Sequence, residues 1–530
     1  MLRSLLAFAC AGLLVAQQKP EPTDPDPARA FFAAGEVVHV EITLAETDRQ
    51  HLRDKPREYV PATLCLDGKT ALPRGGVKLK GAAGSFREID DRPAFTVNLG
   101  KFGEPHLLHG LRRFHLNNGV QDDSMLCEWL GHEVFAAAGL PAPRVAHAIV
   151  TLDGRCLGLY VLREAFDRQF LLRTFGTCHG NLYDGGFCQD IDSDLEKDSG
   201  DGPDDRSDLR ALLAACRSDD AERAARLEAV VDIAAFVDFT AIEAMLAHWD
   251  GYSQNRNNFR LWCETAPGRA HFLPHGMDQL LGEADASVLA HPSGIVASAV
   301  HREPAFRKLY RERLRALLPL MAPARWKGAI ETLAARLQKE LRAVDAAAAV
   351  QHAAAVRSLL GRLEARYKNL RVQVRAPEPK PLQFPGEKPI ALKDWRSAAE
   401  TDHVVLAKKG FQGVATLQIA CQPGADEPRR AAWRTNVLLA RGRYRLLATV
   451  RCDGIAVPPQ EDGEAGGGVR LAVDDARSER LSGRQNWQQL TCEFEVGEFQ
   501  RTVELELGLL AKAGTAWFRL DSLQIARVPQ

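Results

Sequence analysis

The stretch His248-Trp249-Asp250-Gly251-Tyr252-Ser253-Gln254-Asn255 (248–255) decides how this sequence is interpreted. It follows a long helical pattern and precedes a predicted hairpin at 258–275. Asp250 can accept the proton of a hydroxyl group, and Asn255, one turn of loop later, can ligate a metal ion. An Asp followed by a nearby Asn also arises by chance, so an ordinary Asx-rich turn is the alternative.

A second carboxylate, Asp278, follows the predicted hairpin. Taken alone, an Asp before an apolar run is more often a helix N-cap. The order of a strand-rich region, a helix-rich region, the Asp250 loop, the hairpin and Asp278 has the arrangement of a protein-kinase catalytic loop with its metal-binding Asp. Two oxygen ligands beside a nucleotide suit Mg²⁺, with Mn²⁺ as the alternative.

The sequence pattern changes from strand-like to helical near residue 205. Before residue 205, alternating apolar residues predict six strands around one helix (123–138), with the strands near 37–44, 76–81, 95–99, 112–118, 144–152 and 156–164. After it, apolar residues at three- and four-residue spacing predict helices over 206–217, 219–248, 301–318 and 324–372.

The C-terminal part predicts a separate domain. A Pro-rich break at 376–395 is interpreted as a linker, and the short strands and regular turns of 396–530 predict a β-sandwich. Its four tryptophans are candidates for stacking on sugar rings or, alternatively, for a buried core, and they are Trp395, Trp433, Trp487 and Trp517.

The first residues of the chain predict its compartment. The run from Ser4 to Ala16 is almost wholly apolar but shorter than the roughly 20 residues of a membrane-spanning helix. We therefore expect a signal peptide at 1–18, a Pro-rich tether at 19–35 and export to the periplasm, the cell surface or the medium, with no further membrane segment. A buried N-terminal helix is the alternative.

The net charge of −1 provides no field for nucleic acid, so no nucleic-acid partner is expected.

Several separated motifs resemble the spore coat protein H (CotH) kinase family. They are HWDGYSQNRNNFRLW, FLPHGMDQLLG, VKLKGAAGSFREIDDRPAFTVNL, LREAFDRQFL and GNLYDGG, within roughly 36–370. The resemblance implies an α+β chain: an atypical bilobal protein-kinase-like fold over 36–375, followed by the all-β sandwich. It further implies that ATP binds, that Asp250 is catalytic, and that Asp278 and Asn255 hold the metal.

The resemblance also implies a phosphate clamp in the strand-rich region. Gly81, Gly84 and Ser85 match the Gly/Ser-rich loop of the family, although a plain β-turn is the alternative. Arg92 stands where the family usually has Lys, so Lys78 or Lys80 can substitute for it.

The remaining site residues follow from the same comparison. Glu128, on the helix, can pair with the phosphate-binding cation, and a solvated helix face is the alternative. Glu164 and Asp167 match the segment where a kinase chain crosses between lobes and meets adenine, and a helix-capping pair is the alternative. His275 is a second departure, because the family more often has Trp there.

Two further features allow ligands or cross-links. The acidic stretch 190–208 carries alternating carboxylates, but Leu195 stands where a calcium-binding EF-hand loop needs Gly, which favours a solvated loop. An oxidising compartment permits disulfides, for which Cys178 with Cys188 and Cys452 with Cys492 are the candidate pairs.

Two hypotheses follow from the whole sequence. The first is an exported kinase that transfers the γ-phosphoryl group of ATP to Ser or Thr of a secreted or surface protein. The second is a non-catalytic matrix or envelope protein, in which a degenerate kinase scaffold carries a β-sandwich that binds polysaccharide. Asp250 and Asp278 favour the first hypothesis, whereas Arg92 and His275 favour the second.

Overall fold

The computed structural model describes residues 26–68, 70–104, 106–265, 268–386, 388–399, 404–424, 427–457 and 467–529. The predicted signal peptide and the first part of the predicted tether lie outside these ranges. The chain divides into two compact units, and the boundary between them falls after Arg375.

A closed barrel of seven strands forms the first part of the N-terminal unit. In sequence order the strands are β1 (Val37–Thr43), β2 (Val60–Leu66), β3 (Thr70–Lys80), β4 (Ala94–Asn98), β5 (Arg113–Asn117), β6 (Val145–Leu152) and β7 (Arg155–Glu164). Around the barrel they follow the order β1-β2-β3-β4-β5-β7-β6, and β1 closes the barrel by pairing in parallel with β6. Alternate residues of β1 (Val38, Val40 and Ile42) point into the barrel core, as the period of a strand requires.

Three helices accompany the barrel: α1 (Arg29–Ala34), α2 (Glu46–Asp54) and α3 (Cys127–Ala137). The first, α1, lies within the predicted Pro-rich tether (19–35), so the last part of that range is helical. Phe31 of α1 is buried and stacks on His109 with ring centroids 4.9 Å apart. Apolar side chains that directly follow the Pro-rich stretch therefore give this segment a surface to bury.

Helices dominate the second part of the N-terminal unit. They are α4 (Arg168–Phe175), α5 (Ser207–Arg217), α6 (Asp220–Val230), α7 (Ile233–Met245), α8 (Tyr252–Asn255), α9 (Ile295–Arg302), α10 (Pro304–Leu317), α11 (Pro323–Val344) and α12 (Ala346–Gln373). The predicted helices 219–248 and 324–372 are each divided at an aspartate. Asp232 and Asp345 accept hydrogen bonds from the first backbone N–H groups of α7 and α12, so each starts a new helix. Among the helices of the described ranges, none combines the length and the apolar character that crossing a membrane requires.

A four-stranded sheet lies among these helices. Its strands are β8 (Gly180–Asp184), β9 (Glu196–Gly200), β10 (Phe259–Glu264) and β11 (Ala270–Pro274), in the order β11-β10-β8-β9. The hairpin predicted at 258–275 is β10 and β11, whereas the sequence pattern missed β8 and β9. The sheet carries the Asp250 loop at the start of β10 and the Asp278 segment after β11.

The acidic stretch 190–208 is structured by pairing with basic side chains. Its carboxylates form ion pairs as follows: Asp192 with Arg217, Asp194 with Arg206, Asp198 with Arg113, Asp201 with His179 and Asp204 with Lys197. Part of the stretch is β9, which pairs with β8. Most of these carboxylates are exposed, as the predicted solvated loop requires (Asp194 93% and Asp204 89%), while β9 and the buried Asp190 give the stretch fixed structure.

Within the described ranges, the C-terminal unit has ten strands. They are β12 (Ile390–Ala391), β13 (Arg396–Ala399), β14 (Val404–Phe411), β15 (Val414–Cys421), β16 (Arg429–Ala456), β17 (Gly468–Val473), β18 (Ala476–Arg477), β19 (Gly483–Ala511), β20 (Ala513–Arg519) and β21 (Gln524–Val528). Hydrogen bonds join them into one sheet through the long strands β16 and β19. The all-β character agrees with the sequence pattern, and the stacking of two separate sheets stays a prediction.

The predicted linker at 376–395 is partly incorporated into this unit. Leu382 N donates to Leu438 O at 2.8 Å, and β12 pairs with β21. Leu392 and Trp395 are buried in the core of the unit. The prediction is therefore wrong for the second half of this range, where apolar residues between the prolines pack against the sheet.

The cysteines of the described ranges are all free. The predicted pair Cys452 and Cys492 is separated by strand register, since Cys452 lies opposite Gln485 and Cys492 opposite Leu446. Cys178 and Cys188 are also free and unpaired with each other. Neither candidate disulfide is formed.

Candidate functional site

Three asparagine side chains hold the Asp250 carboxylate. Asn255 Nδ2 donates to Oδ1, and Asn258 Nδ2 donates to Oδ2 at 2.7 Å. Asn257 Nδ2 lies 3.2 Å from Oδ1 and 3.1 Å from Oδ2. Arg256 and Asn258 adopt left-handed backbone conformations with φ of 53° and 50°, and this tight turn brings the amides back to the carboxylate. The sequence predicted Asn255 near Asp250 but missed Asn257 and Asn258.

The buried carboxylate of Glu243 holds the Asp250 loop through hydrogen bonds to its backbone. Glu243, near the end of α7, accepts hydrogen bonds from Tyr252 N at 2.9 Å, from Ser253 N at 3.0 Å and from Ser253 Oγ. Burial raises the pKa of Glu243 to about 7, although the hydrogen bonds from Ser253 and Tyr252 act in the opposite direction. Glu243 thus satisfies the first backbone N–H groups of α8, whose last residue is Asn255.

A second buried carboxylate, Asp190, holds the same loop through Tyr252. Tyr252 Oη donates to Asp190 Oδ1 at 3.1 Å and accepts from Val296 N at 2.9 Å. Asp190 Oδ2 accepts from Ile295 N at 2.8 Å. Burial raises the pKa of Asp190 above its ordinary value. Asp190, the first carboxylate of the acidic stretch, therefore supports the Asp250 loop.

Asn258 connects Asp250 to the segment that carries Asp278. Its Nδ2 also donates to Asp250 O at 3.1 Å, while its carbonyl accepts from His275 N at 3.2 Å. Gly276 has φ of +61°, and a Cβ at this position would collide with Asn258 Oδ1. The close approach therefore requires glycine two residues before Asp278.

The Asp278 side chain is partly buried and lies in the field of other charges. Burial raises its pKa to about 6, the charges of Glu128 and Asp122 add to this effect, and the charge of Lys80 opposes it. Within the described ranges, no other side chain donates a hydrogen bond to this carboxylate. Asp278 thus presents acceptor oxygens in the electrostatic field of Lys80, which is partly exposed.

Lys80 belongs to a buried ion-pair network on the barrel side of the site. Lys80 Nζ donates to Asn117 Oδ1, and Asn117 Nδ2 donates to Glu128 Oε2 at 2.6 Å. Arg163 Nε lies 3.3 Å from Glu128 Oε1. Lys80 at the end of β3 and Glu128 on α3 have the strand-lysine and helix-glutamate placement of the ion pair in protein kinases.

The pKa values of Lys80 and Glu128, the two ends of this network, both lie below their ordinary values. Burial lowers the pKa of Lys80 to about 7, and the charge of Arg163 adds to this effect. Burial alone would raise the pKa of Glu128, but the hydrogen bond with His132 and the charge of Arg163 lower it to about 2. Glu128 is therefore ionised over the whole ordinary pH range, whereas Lys80 titrates near neutrality.

Arg92 does not join this network. Its Nη2 donates to Leu159 O at 2.7 Å, and its guanidinium lies over the Tyr160 ring at 5.4 Å from the centroid. In the described part of the chain, its contacts do not include Lys80 or Asp278. The position that the family comparison indicated for the phosphate-binding cation is therefore occupied by a side chain packed on the barrel. Of the two alternatives, Lys80 lies in the site, whereas Lys78 lies over the Tyr59 ring.

The Gly81–Ser85 loop directly follows Lys80. Gly81 and Gly84 have φ of +104° and +83°, and Asn118 Nδ2 donates to Ser85 O at 3.1 Å. The loop satisfies several of its own N–H groups, because Ala82 N donates to Ser85 Oγ, and Ser85 N and Phe86 N donate to Ala82 O. It therefore forms a closed turn next to the site, with those three N–H groups already engaged.

Glu164 and Asp167 are engaged where the chain leaves the barrel. Glu164 is buried and accepts from Arg144 Nη2 and Arg173 Nη2, each at 2.8 Å. Asp167 caps α4 by accepting from Gln169 N and Phe170 N. Both carboxylates thus fix the crossing segment, in agreement with the helix-capping alternative for Asp167.

His275 contacts Arg260, a partly exposed arginine. Arg260 Nη1 donates to Asp184 and lies 3.3 Å from His275 Nε2. Burial, with the charges of Arg260 and Arg163, holds the pKa of His275 well below its ordinary value. Arg260 and Arg163 add positive charge to the surroundings of Lys80, and the sequence pattern gave no signal for either.

The donor set suits a metal ion shared with phosphates. Across the described residues, no group of three or more His, Cys, Asp and Glu side chains is arranged to hold a metal by itself. Mg²⁺ in nucleotide sites usually takes one or two protein oxygens and completes its shell with phosphates and water. Asp278 and the Asn255 amide oxygen are ligands of that kind.

The barrel with Lys80 linked to Glu128 through Asn117, the helical part with its Asp250 loop, and the Asp278 segment together define a kinase-like protein. A family model described as CotH kinase protein matches residues 77–355, more than half of the sequence. The chain belongs to the CotH kinase family. No curated protein sequence matches it.

Solved structures provide three further comparisons. The Helicobacter pylori proinflammatory kinase CtkA is 10% identical with a TM-score of 0.27, over 53% of this chain and 94% of that chain. TmCBM61 in complex with β-1,4-galactotriose is 15% identical with a TM-score of 0.18, over 26% of this chain and 91% of that chain. BiXyn10A CBM1 is 15% identical with a TM-score of 0.19, over the same shares. These TM-scores are too low to establish a shared fold.

Proposed function

We propose that this protein is an exported atypical protein kinase that transfers the γ-phosphoryl group of ATP to Ser or Thr of secreted or surface proteins. The observation that carries the proposal is the link through Asn258 between the Asp250 loop and the Asp278 segment, beside the Lys80–Glu128 network. Phosphoryl transfer requires a group that positions the hydroxyl, a metal-binding carboxylate and a cation for the phosphates in one place.

The phosphates would lie against the cationic side of the site. Lys80, Arg163 and Arg260 are close enough for each arginine to lower the pKa of Lys80. Glu128 compensates part of this positive charge, and an incoming triphosphate would compensate the rest. In this arrangement Lys80 contacts the phosphates, while Glu128 and Asn117 hold Lys80 in place.

Magnesium, or manganese, would be held by Asp278 and Asn255. Asn255 uses its Nδ2 to hold Asp250, so its Oδ1 is oriented away from that bond and can face a cation. When bound, the metal supplies positive charge beside the phosphate oxygens. Asp278 provides the matching negative charge from the protein.

Asp250 would position the acceptor hydroxyl and accept its proton. Three amide donors fix the orientation of its carboxylate, and Glu243 and Asp190 fix the loop that supplies Asn255. Trp249, next to Asp250, is 55% exposed and can contact a substrate segment. A rigid carboxylate lowers the entropic cost of placing the hydroxyl in line with the phosphoryl group.

The surrounding architecture supports the same proposal. The barrel and the helical part would form the two lobes of a kinase-like fold with ATP between them, and the crossing segment at Glu164–Asp167 would meet adenine. Export is supported by the apolar segment at the start of the sequence. The substrate would then be a protein outside the cytoplasm.

Nucleotide binding and single-turnover transfer test the proposal together. The full chain is incubated with labelled ATP and saturating Mg²⁺, and both bound nucleotide and phosphorylated protein are measured. We expect magnesium-dependent ATP binding that Asp278→Asn abolishes, and transfer to the protein itself or to a Ser/Thr-rich acceptor. The exposed Asp192→Asn variant is the control. If the wild type binds no nucleotide, the proposal fails and the degenerate-scaffold hypothesis replaces it.

A further inference from the structure

Three partly exposed aromatic residues cluster on the C-terminal unit. Phe411 and Trp517 have ring centroids 4.5 Å apart at an interplanar angle of 30°, and Trp487 lies 6.2 Å from Phe411. We call these three residues the aromatic patch. They come from β14, β19 and β20, which are distant in sequence but brought together by the sheet.

The patch lies on the outer face of the sheet. Trp517 stands between Gln418 and Arg451 in one cross-strand row. The neighbouring row, which contains Phe518 and Val450, is fully buried in the core. Because successive residues of a strand point to opposite faces, Trp517 and its two neighbours point away from that core.

An irregularity in the pairing of β16 with β19 brings Trp487 into the aromatic patch. Val450 pairs with Gln488 and Cys452 with Gln485, so Asn486 and Trp487 lie together opposite Arg451. Extra residues of this kind bend a strand and redirect its side chains. The irregularity thus brings Trp487 towards Phe411.

Planar polar groups border the patch. Arg451 lies over the Phe411 ring at 5.5 Å from the centroid, and its Nη1 donates to Asn486 Oδ1 at 2.8 Å. Gln418 lies on the opposite side of Trp517 in the same row. Arg451 and Gln418 are partly exposed and Asn486 is exposed, so a ligand that packs on the rings can contact them.

The other two candidate tryptophans are used differently. Trp395 and Trp433 are each only 4% exposed and belong to the core of the unit. The core alternative therefore holds for these two, while Trp487 and Trp517 remain accessible. The division separates structural tryptophans from those available to a ligand.

We propose that the aromatic patch binds the pyranose rings of a polysaccharide. A sugar ring has an apolar C–H face, which packs on aromatic rings, and a rim of hydroxyl groups, which match planar guanidinium and amide groups. Phe411 packs against Trp517, so the partly exposed rings of Trp517 and Trp487 supply the apolar surface, and Arg451, Asn486 and Gln418 provide the polar partners. This site is separate from the chemistry of Asp250 and Asp278.

Affinity electrophoresis of the full chain tests the site. Gels contain xylan, mixed-linkage β-glucan, galactan or polygalacturonate, and the best ligand is then titrated by calorimetry. We expect retardation by at least one of them, and a loss of affinity of about tenfold or more for Trp517→Ala and Trp487→Ala. Trp517→Phe keeps an aromatic face and is expected to retain most of the affinity, which guards against misfolding of the alanine variants.

A matched pair of arginines on β16 provides the control. Arg451→Ala is expected to weaken binding, whereas Arg445→Ala, whose partner is Glu493, is expected to leave it unchanged. Retardation by none of the four polysaccharides overturns the proposal, as does equal retardation of Trp517→Ala and the wild type. Self-association in sedimentation velocity that Trp517→Ala abolishes would also overturn it, because the patch would then join two copies of the chain.

Discussion

The two sides of the candidate site are stabilised by different forces. Around Asp250, neutral amides donate hydrogen bonds to the carboxylate. The loop itself is held by hydrogen bonds to Glu243 and Asp190. Around Asp278, buried charges balance one another through Lys80 and Glu128. The Asp250 side is therefore set by geometry, whereas the Asp278 side is set by charge balance.

This difference predicts how each side responds to change. Removing the charge of Asp250, as in Asp250→Asn, leaves no buried charge without compensation, although the new NH2 group opposes the amide donor of Asn255 or Asn258, so that neighbour must turn. The substitution should therefore affect mainly the chemistry. The same kind of substitution in the Lys80–Glu128 network should affect folding itself, because it leaves a buried charge without compensation.

The largest effect is expected for Asp250→Asn. The amide cannot accept the hydroxyl proton, so the rate of phosphoryl transfer should fall about 10²–10⁴-fold. ATP binding should remain close to that of the wild type, because the proposed phosphate contacts lie on the other side of the site. Single-turnover transfer and equilibrium binding of ATP are measured on the same preparation, and a parallel loss of binding would contradict the division of roles.

The next largest effect is expected for Glu128→Gln. Removing one partner of a buried ion pair costs about 3–5 kcal/mol, so the free energy of unfolding should fall by about that amount. Urea unfolding followed by tryptophan fluorescence measures it. Glu133→Gln, on the same helix, is the matched control, since burial alone raises the pKa of Glu133 and a neutral side chain is tolerated there. Equal destabilisation by both variants would argue against the network.

A pH dependence separates the two sides through Glu243. Its pKa rises from 4.5 in the unfolded chain to about 7 in the folded one, so its stabilising contribution is complete below pH 4.5 and is lost as pH rises through 7. Over this window, the wild type should lose about 3 kcal/mol relative to Glu243→Gln. Thermal unfolding from pH 4.5 to 8 measures the difference, and parallel curves for the two proteins would contradict it.

A smaller pH effect is expected on the other side, through Lys80. Its pKa of about 7 means that the lysine loses its charge above neutrality, whereas phosphate binding favours the charged form. ATP affinity should fall by up to about tenfold per pH unit above pH 7, with proton uptake on binding. Calorimetry in buffers of different ionisation enthalpy detects that uptake. Lys80→Arg should bind ATP with little pH dependence, and a pH dependence equal to that of the wild type would exclude Lys80 as its source.

The smallest effect is expected for Arg92→Lys. Arg92 contacts Leu159 O and the Tyr160 ring, so restoring the usual residue of the family should change ATP affinity by less than about twofold. Direct titration with ATP measures it, with Lys80→Met as the positive control for loss of a phosphate-binding cation. A large gain for Arg92→Lys would place the phosphates against this part of the barrel.

The local parts of the fold could be predicted from sequence. Alternation located most barrel strands, but β2 was missed although Val60, Ala62, Leu64 and Leu66 are buried on one face. The closure of the barrel was also beyond local patterns, since it depends on pairing between strands far apart in the chain. Capping aspartates were visible in the sequence, yet they were not used to divide the long helices.

The site was predictable where spacing along the chain determines contact. Asp250 and Asn255 share one loop, and they do form a hydrogen bond. Arg163 and Arg260 reach the surroundings of Lys80 from β7 and β10, and no sequence spacing relates those strands. The three amides at 255, 257 and 258 carried a usable signal, because so many side-chain donors rarely follow one carboxylate so closely.

The seam of the barrel also constrains the order in which the chain can fold. Val37 pairs with His147 and Ile42 with Leu152 in parallel, and no hairpin can make such a connection. Strand β1 can therefore complete its pairing only after β6 is available. Because bringing these distant strands together costs loop-closure entropy, barrel closure is a late and slow event. During synthesis from the N-terminus, one edge of β1 stays unpaired until β6 has emerged.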